Sequence, residues 1–228
     1  MHAASAAISW YNQNNDFGNG AGNMLDKTVP YFDILMEKPD ISQYPRYTLP
    51  EGFRFSGYRP EYAKKWAELL YTLEQTDTLE EARALFRRDF LSRPKLLEKQ
   101  CIFVLNEAGK VAATASLWPG SHFGSEHLRI HWVSAAPEYQ GKGLVKALLT
   151  HLLDIYQELD HDGILYLSSS TWNYKAVNIY KQFGFVPYTG KVPANWKGGR
   201  DYQKEFQAAW PIIDQKLEEY RQRSSSAR

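Results

Sequence analysis

The chain has 228 residues, of which 43% are apolar, and its 27 lysines and arginines nearly balance 26 aspartates and glutamates, for a formal charge of +1. A chain of this length builds a hydrophobic core without disulfides or a structural metal, as one compact domain with or without attached arms. The balanced charge lacks the concentrated positive face that a dedicated nucleic-acid binder needs, which makes DNA and RNA poor candidates for its partner.

The N-terminal residues are predicted to lie outside the folded domain. Residues 1–23 include an asparagine- and glycine-rich stretch at 12–23, which gains little from burial and predicts a flexible leader. Residues 24–50 carry scattered apolar side chains that three prolines interrupt, and this pattern is typical of an arm lying on a surface.

Strand and helix patterns then alternate over residues 51–188, as in an α/β domain built on a sheet. The capping pattern Thr78-x-x-Glu81 starts one helix, and Pro94 is expected to end it. The predicted strands lie at 52–58, 101–105, 111–117, 128–134 and 164–168, and the predicted helices begin near Pro60, Thr78, Val145 and Asn173.

The last predicted region covers residues 189–228. A polar stretch leads into apolar residues at helical spacing on either side of Pro211, which predicts a C-terminal helical extension.

Cysteine content and hydropathy indicate the compartment. Cys101 is the single cysteine, so it cannot form an intramolecular bridge, and its apolar neighbours predict a buried strand. No window approaches the ~20 uninterrupted apolar residues that span a bilayer. The N-terminus lacks the basic-then-apolar order of a signal peptide. We therefore expect a cytoplasmic protein with no membrane partner.

Residues 136–145 (APEYQGKGLV) carry the first chemical signal, because they connect a predicted strand to a predicted helix. Gly141 and Gly143 let backbone N–H groups approach an anion at the helix N-terminus, where the helix dipole favours negative charge. The spacing matches neither a Walker loop nor the dinucleotide fingerprint, which needs a small residue where Lys146 stands. Taken alone, the segment is equally well explained as a plain strand-to-helix turn.

A second segment changes this balance. Asn173 and Ala176 are followed by Tyr180 and then by Gly184-Phe185. The two segments together resemble the GNAT superfamily of N-acetyltransferases, whose members show Arg/Gln-x-x-Gly-x-Gly/Ala after the fourth strand. They then show an Asn-x-x-Ala helix ending in Tyr-x-x-x-Gly-Phe. The order of strands and helices over residues 52–188, about 60% of the chain, matches as well.

One position departs from the family pattern. Gln140, Gly141 and Gly143 match it, whereas Val145 stands where Gly or Ala is usual. The departure leaves the backbone amide in place, so it concerns close packing of the helix against a cofactor more than phosphate binding.

The resemblance implies a fold and an activity. The fold is the α/β (α+β) GNAT fold, a mixed central sheet of six to seven strands with flanking helices, to which the arm and the C-terminal extension are added. The activity is that of an acyltransferase that uses acetyl-CoA as cosubstrate. It moves the acetyl group directly to a primary amine of a small molecule or peptide in a ternary complex.

The resemblance also implies where the cofactor lies. In the family the fourth and fifth strands splay apart, and pantetheine lies between them; the backbone partners here are Val133, Ser134 and Ala135. The pyrophosphate lies against the backbone amides after Gln140, namely those of Gly141, Lys142, Gly143, Leu144 and Val145. Asn173 bonds the pantetheine or orders a water, or else is a simple helix cap. Lys142 and Lys146 add positive charge, or are solvated helix lysines. No metal is implied.

Two side chains are candidates for proton transfer. The resemblance implies that Tyr180 protonates the departing CoA thiolate, and the reference pKa values of about 10 and about 8.5 permit that transfer. Its alternative role is to cap the core. His131 lies where some family members place a histidine, and an ordinary pKa of about 6.5 suits a base for the acceptor amine.

Other interpretations of the base stay open. Glu126 and His127 are alternatives, and His131 is equally well explained as a strand-face histidine with no role. Strand alternation places His127, Arg129 and His131 on one face of their strand, and Leu128, Ile130 and Trp132 on the other.

A metal site is excluded by geometry. His127 and His131 lie about 13 Å apart along a strand, whereas zinc ligands lie about 2 Å from the ion, so these histidines and His122 do not form a zinc site.

A competing hypothesis is a CoA-binding module without turnover, which contacts a partner protein through its arm and C-terminal helices. The sequence leaves the acceptor and a homodimer open.

Overall fold

The structure is a computed structural model that describes residues 25–159, 161, 163–196 and 201–226. The predicted leader at residues 1–23 lies outside these residues. The strands are β1 (Asp33–Lys38), β2 (Phe53–Gly57), β3 (Cys101–Asn106), β4 (Val111–Gly120), β5 (His127–Ala135), β6 (Leu165–Ser170) and β7 (Val186–Pro187). The α-helices are α1 (Tyr62–Thr72), α2 (Leu79–Phe90), α3 (Pro94–Gln100), α4 (Leu144–Glu158), α5 (Tyr174–Gln182) and α6 (Tyr202–Ser226).

In the described part of the chain, the strands form one seven-stranded sheet in the order β2-β3-β4-β5-β6-β1-β7. Neighbouring strands from β2 to β5 are antiparallel, β5 and β6 are parallel, and β1 is antiparallel to both β6 and β7. The sheet is therefore mixed, which confirms the predicted fold class.

Strand β1 corrects the description of residues 24–50 as a surface arm. It lies inside the sheet between β6 and β7, and Ile34, Leu35 and Met36 are at most 2% exposed. The prolines flank this strand rather than interrupt it. Because both of its faces are covered, the strand reads as a continuous apolar run without the alternation that marks a half-buried strand.

The helices follow the sequence signals with two differences. The Thr78 hydroxyl accepts a hydrogen bond from the Glu81 amide at 3.1 Å and caps α2, as the sequence predicts. Pro94, expected as a stop, occupies the first turn of α3, where a missing N–H costs nothing. Helix α6 runs through Pro211 as one helix and supplies the predicted C-terminal extension.

The two faces of the sheet pack against different helices. Alternation along β3 directs Cys101, Phe103 and Leu105 towards α1, α2 and α3, and Ile102 and Val104 towards α4. The core under α4, α5 and α6 is continuous and includes side chains from β1, β4, β5 and β6. This core therefore extends along the sheet from β3 to β1.

Within the described ranges, no helix combines the length and the apolar character needed to pass through a bilayer.

We predict that Met36→Ala lowers the free energy of unfolding by about 2–5 kcal/mol, because it leaves a cavity in the core. Urea unfolding of purified protein measures this change. Val192, which is 57% exposed, provides the control, and Val192→Ala should change stability by less than about 0.5 kcal/mol. Equal, small effects for both variants would contradict the placement of β1 in the core.

Candidate active site

A gap opens between β5 and β6. The two strands pair at Arg129 with Tyr166 and at Ile130 with Leu167, whereas β5 continues to Ala135 and β6 to Ser170. Beyond Ile130, β5 stays paired with β4 on its other side. Its edge towards β6 therefore offers unpaired backbone groups, to which an extended ligand can add as a strand would.

A β-bulge in β5 accompanies this separation. The pairing with β4 shifts register between Thr114 and Ser116, and Trp132 adopts a positive φ of 49°. Such a bulge bends its strand and increases the local twist. It also corrects the simple alternation expected for β5. The Trp132 ring lies on the side of His131, with ring centroids 5.3 Å apart, and not on the side of Ile130.

The glycine loop, which we define as residues 136–143, follows β5 and leads into α4. Gly141 and Gly143 have φ of +75° and +83°, a region that favours glycine, and a Cβ at either would meet nothing within 4 Å. Glycine is thus required by the backbone angle, and the space beside it is open. Gly143 is the N-cap of α4, without a side-chain cap or an acidic residue in the first turn. The first amides of this helix are free to bind an anion.

Gln140 joins the loop to the gap. Its Nε2 donates a hydrogen bond to the carbonyl oxygen of Ala135 at 3.2 Å, at the end of β5. Ser134 is 1% exposed, and its hydroxyl has no hydrogen-bond partner in the described residues. The structure therefore brings the predicted backbone segment 133–135 and the glycine loop next to each other.

Lys142 and Lys146, the two lysines considered as sources of positive charge for the cofactor phosphates, lie near this loop. The Nζ of Lys142 lies 5.3 Å from the centre of the Tyr139 ring, and that of Lys146 lies 4.9 Å from the Tyr47 ring. Both ammonium groups stay on the outside of α4, where they add positive charge to its N-terminal end.

The opposite wall of the gap leads to Tyr180 and Asn173. Strand β6 continues through the short turn Thr171–Asn173 into α5, which carries Tyr180. Asn173 makes no side-chain cap bond to the helix, and its Nδ2 donates to the Ser170 hydroxyl at 3.0 Å. It therefore ties the end of β6 to the start of α5 instead of capping the helix.

Tyr180 is 7% exposed, and its hydroxyl makes no hydrogen bond within the described residues. Burial raises the pKa of this hydroxyl well above its ordinary value, so it keeps its proton at neutral pH.

His131 lies on the face covered by α1, α2 and α3, beside Asp89 of α2. Its Nε2 is 3.6 Å from Asp89 Oδ2 and 3.3 Å from Arg129 Nη2, and its side chain is 14% exposed. Burial and the charge of Arg129 lower its pKa to about 3, although Asp89 acts in the opposite direction. The expectation of an ordinary histidine pKa is wrong. The imidazole is neutral at physiological pH but a weak base.

The two alternative bases are engaged elsewhere. Glu126 accepts two hydrogen bonds from Arg93, at 2.8 and 2.5 Å, which lower the pKa of its carboxyl group. His127 Nδ1 accepts a hydrogen bond from the Ile164 amide at 3.2 Å and so attaches the start of β5 to the segment before β6.

Glu37 is a further carboxylate on this side of the sheet that sequence reasoning missed. It pairs in register with Tyr166, so the two side chains share a face of the sheet. It has no hydrogen bond or ion pair within the described residues, and burial raises the pKa of its carboxyl group. The interpretation of residues 24–50 as an arm concealed it, because only the sheet register places Glu37 next to Tyr166, in the row of the sheet that also holds Arg129.

The three histidines considered for zinc have separate partners. His122 Nδ1 lies 2.9 Å from the Tyr166 hydroxyl, while His127 and His131 make the contacts given above. In the part of the chain that the structure describes, no three His, Cys, Asp or Glu side chains are arranged to hold a metal ion.

Comparison with known proteins gives a family match. The sequence model of the Acetyltransferase (GNAT) family matches residues 61–185, which lie within the domain predicted at 51–188. No curated protein matches the sequence.

Solved structures resemble the fold at low sequence identity. A GCN5-related N-acetyltransferase from Sphaerobacter thermophilus is 15% identical, with a TM-score of 0.52 over 69% of this chain and 48% of that chain. A tandem GNAT protein from the clavulanic acid biosynthesis pathway is 15% identical, with a TM-score of 0.52 over 72% and 52%. A GNAT-family acetyltransferase from Colwellia psychrerythraea is 13% identical, with a TM-score of 0.51 over 70% and 54%. The chain spans about half the length of these structures, and the likeness to them is one of fold.

Proposed function

Because the chain belongs to the Acetyltransferase (GNAT) family, we propose that it is an acetyl-CoA-dependent N-acetyltransferase. It moves the acetyl group directly to a primary amine of a small molecule or peptide in a ternary complex. The observation that carries this proposal is the junction of the gap with the glycine loop through Gln140 and Ala135. That junction provides a strand-like edge and an anion site side by side.

The residues present fit acetyl-CoA. The amides of Gly141 to Val145 would bind its pyrophosphate, since the loop is open and its helix N-terminus carries no competing carboxylate. The backbone of Val133, Ser134 and Ala135 would hold the pantetheine amides along the unpaired edge of β5. The bound cosubstrate supplies an activated acetyl thioester.

Tyr180 would act as the general acid. In the transfer a bond forms between the amine nitrogen and the acetyl carbon, while the bond from that carbon to the CoA sulfur breaks. The sulfur leaves as a thiolate that needs a proton. The hydroxyl of Tyr180 keeps its proton at neutral pH and has no competing hydrogen bond in the described residues, so it is available to donate it.

Glu37 would accept the amine proton. An amine of ordinary pKa, about 10.4, is almost fully protonated at neutral pH and cannot attack until it loses that proton. A carboxylate whose pKa is raised by burial is a stronger base than an ordinary one. His131 is a weaker base, since its pKa is about 3.

Direct transfer is supported by the state of the cysteine. Cys101 is fully buried, and burial raises the pKa of its thiol to about 12. It is therefore neither ionised nor accessible for an acetyl-enzyme intermediate, and the amine itself is left as the nucleophile.

We predict that Gly143→Phe raises the Kd for CoA by about tenfold or more, because lost hydrogen bonds to a charged group cost about 1.5–3 kcal/mol. Isothermal calorimetry measures this affinity. Gly109 provides a matched control, since it also has positive φ and open space but lies in the turn between β3 and β4. Gly109→Phe should suffer the same backbone strain and retain CoA affinity. Unchanged affinity in folded Gly143→Phe would exclude the proposed anion site.

We predict that Tyr180→Phe lowers turnover by about 10²- to 10⁴-fold, the usual contribution of general acid catalysis, with little change in the Kd for CoA. Release of CoA thiol with an amine library measures turnover. Tyr174→Phe on the same helix is the control, because that tyrosine is also buried, and it should keep nearly full activity. A loss below about twofold in Tyr180→Phe would return Tyr180 to a packing role. Cofactor binding without turnover on any amine would favour a silent binding module.

The pH profile tests the assignment of the base. We predict that kcat/KM rises with pH through a limb that lies above the ordinary carboxyl pKa and below that of the amine. The limb arises because Glu37 accepts a proton only when ionised, and its pKa is raised. Glu37→Gln should abolish this limb. In His131→Gln the limb should persist, since His131 is already neutral there. Loss of the limb in His131→Gln alone would assign the base to His131.

A further inference from the structure

Arg129 occupies a position that the proposed reaction has not yet used. It belongs to the last pairs of β5 with β6 before the gap opens, and its side chain shares a face with Tyr166. Its Nη2 lies 3.3 Å from His131 Nε2, on the face covered by α1, α2 and α3. The guanidinium therefore stands next to the closed end of the gap.

The guanidinium of Arg129 makes no ion pair within the described residues, and its buried Nε has no hydrogen-bond acceptor there. The charge of Asp89 acts on it without forming an ion pair. Its contact with His131 neutralises nothing, because that imidazole is uncharged. Burial lowers the pKa of Arg129, yet a guanidinium stays protonated at neutral pH. A buried, uncompensated cation is unfavourable for stability and is often kept for binding.

The nearest carboxylate, that of Asp89, is already engaged. Asp89 Oδ1 accepts a hydrogen bond from Arg88 Nε at 2.7 Å, and Oδ2 accepts one from Trp132 Nε1 at 2.8 Å. The neighbouring His131, together with these two donors, holds the pKa of Asp89 well below its ordinary value against the effect of burial, so it is ionised. With Arg88 balancing Asp89, the positive charge of Arg129 remains in excess.

The surroundings of Arg129 strengthen the attraction between its charge and an anion. Trp118 pairs with Arg129 across β4 and β5, and it packs against Phe90 with ring centroids 4.8 Å apart. Aromatic side chains therefore exclude much of the water on this face. An anion beside the guanidinium would be screened far less than on the protein surface.

We infer that Arg129 binds the carboxylate of the acceptor, and that the acceptor is an amino acid or another amine bearing a nearby carboxylate. This inference rests on the proposed acetyl transfer and names its substrate class. The planar guanidinium matches a carboxylate, and within the part of the chain that the structure describes its outer nitrogens make no hydrogen bond other than the one to His131.

The charges along one row of the sheet fit such a zwitterion. Arg129, Tyr166 and Glu37 are neighbours on β5, β6 and β1, so Arg129 and Glu37 stand about 10 Å apart at Cα. The cation would hold the carboxylate of the acceptor, and Glu37 would face its amine. A purely cationic acceptor, such as a polyamine, would meet an uncompensated positive charge instead.

Matched acceptors test this inference. Thiol release is measured with phenylalanine, tryptophan and leucine, with their amides, and with the corresponding decarboxylated amines, in wild type, Arg129→Met and Arg87→Met. Arg87→Met removes the same charge from α2, but from a side chain that is 56% exposed and pairs with Glu80 outside this cluster. We expect wild type to prefer the free acids. In Arg129→Met, kcat/KM for the acids should fall by about 10- to 100-fold, the effect of one lost charge-assisted hydrogen bond, and Arg87→Met should keep the preference.

Stability and the uncharged acceptors distinguish binding from a structural role. Arg129→Met should have a Tm equal to or above that of wild type, because it removes an uncompensated cation. Its activity on the decarboxylated amines should change by less than about threefold, since these make no charged hydrogen bond. Equal losses on acids and amines, or a wild type that accepts both equally, would overturn the inference and leave acetyl transfer standing.

Absence of thiol release with every acceptor would instead overturn the proposed function. Calorimetry with N-acetyl-phenylalanine then tests Arg129 without turnover. Binding that Arg129→Met abolishes would support the carboxylate site, and absence of binding to wild type would exclude it.

Discussion

The candidate site depends on a strand pair that ends early. Strands β5 and β6 are held together at two register pairs, after which each continues alone on the side that faces the other. Unpaired backbone amides and carbonyls in an interior are costly unless water or a ligand satisfies them. The bulge at Trp132 turns β5 at this place, and the helices α4 and α5 keep the separated strands in fixed positions. The gap is therefore part of the sheet itself, bordered by strands and helices rather than by a loop.

Structural features that depend on a few neighbouring residues could be predicted from the sequence, whereas pairings between distant segments could not. Gly141 and Gly143 belong to a short turn, so the local glycine pattern predicts the strand-to-helix connection, and the structure adds that both residues have positive φ. The cap at Thr78 was equally local. Strand β1 was missed because its identity comes from partners more than 120 positions away, such as Ser170 opposite Asp33. The helical spacing on either side of Pro211 predicts the extension, but only the structure shows that α6 runs through the proline as one helix, whose apolar face is fixed by packing.

Electrostatic properties were the hardest to predict. Histidine alone suggests a base of ordinary pKa, but the value for His131 is set by burial and by Arg129 two positions earlier. The sequence places those residues on one face, yet it cannot show that Asp89 is already bound to Arg88 and Trp132. The sequence likewise cannot predict the surroundings of Glu37, because its neighbour Tyr166 is known only from the sheet register. The chemistry of the site thus depends on the folded arrangement, whereas the family motif indicates only which segments of the chain form the site.

The central position of β1 has a consequence for how the protein forms. Strand β1 is made early during synthesis, but both of its partners, β6 and β7, follow it by more than a hundred residues. Until they emerge from the ribosome, the apolar segment Ile34–Met36 lacks the strands that cover it. Pairings of such large sequence separation slow folding and prolong the exposure of aggregation-prone edges. Completion of the sheet therefore has to wait until β6 and β7 have been made, and until then the unpaired strand is an aggregation hazard in the nascent chain.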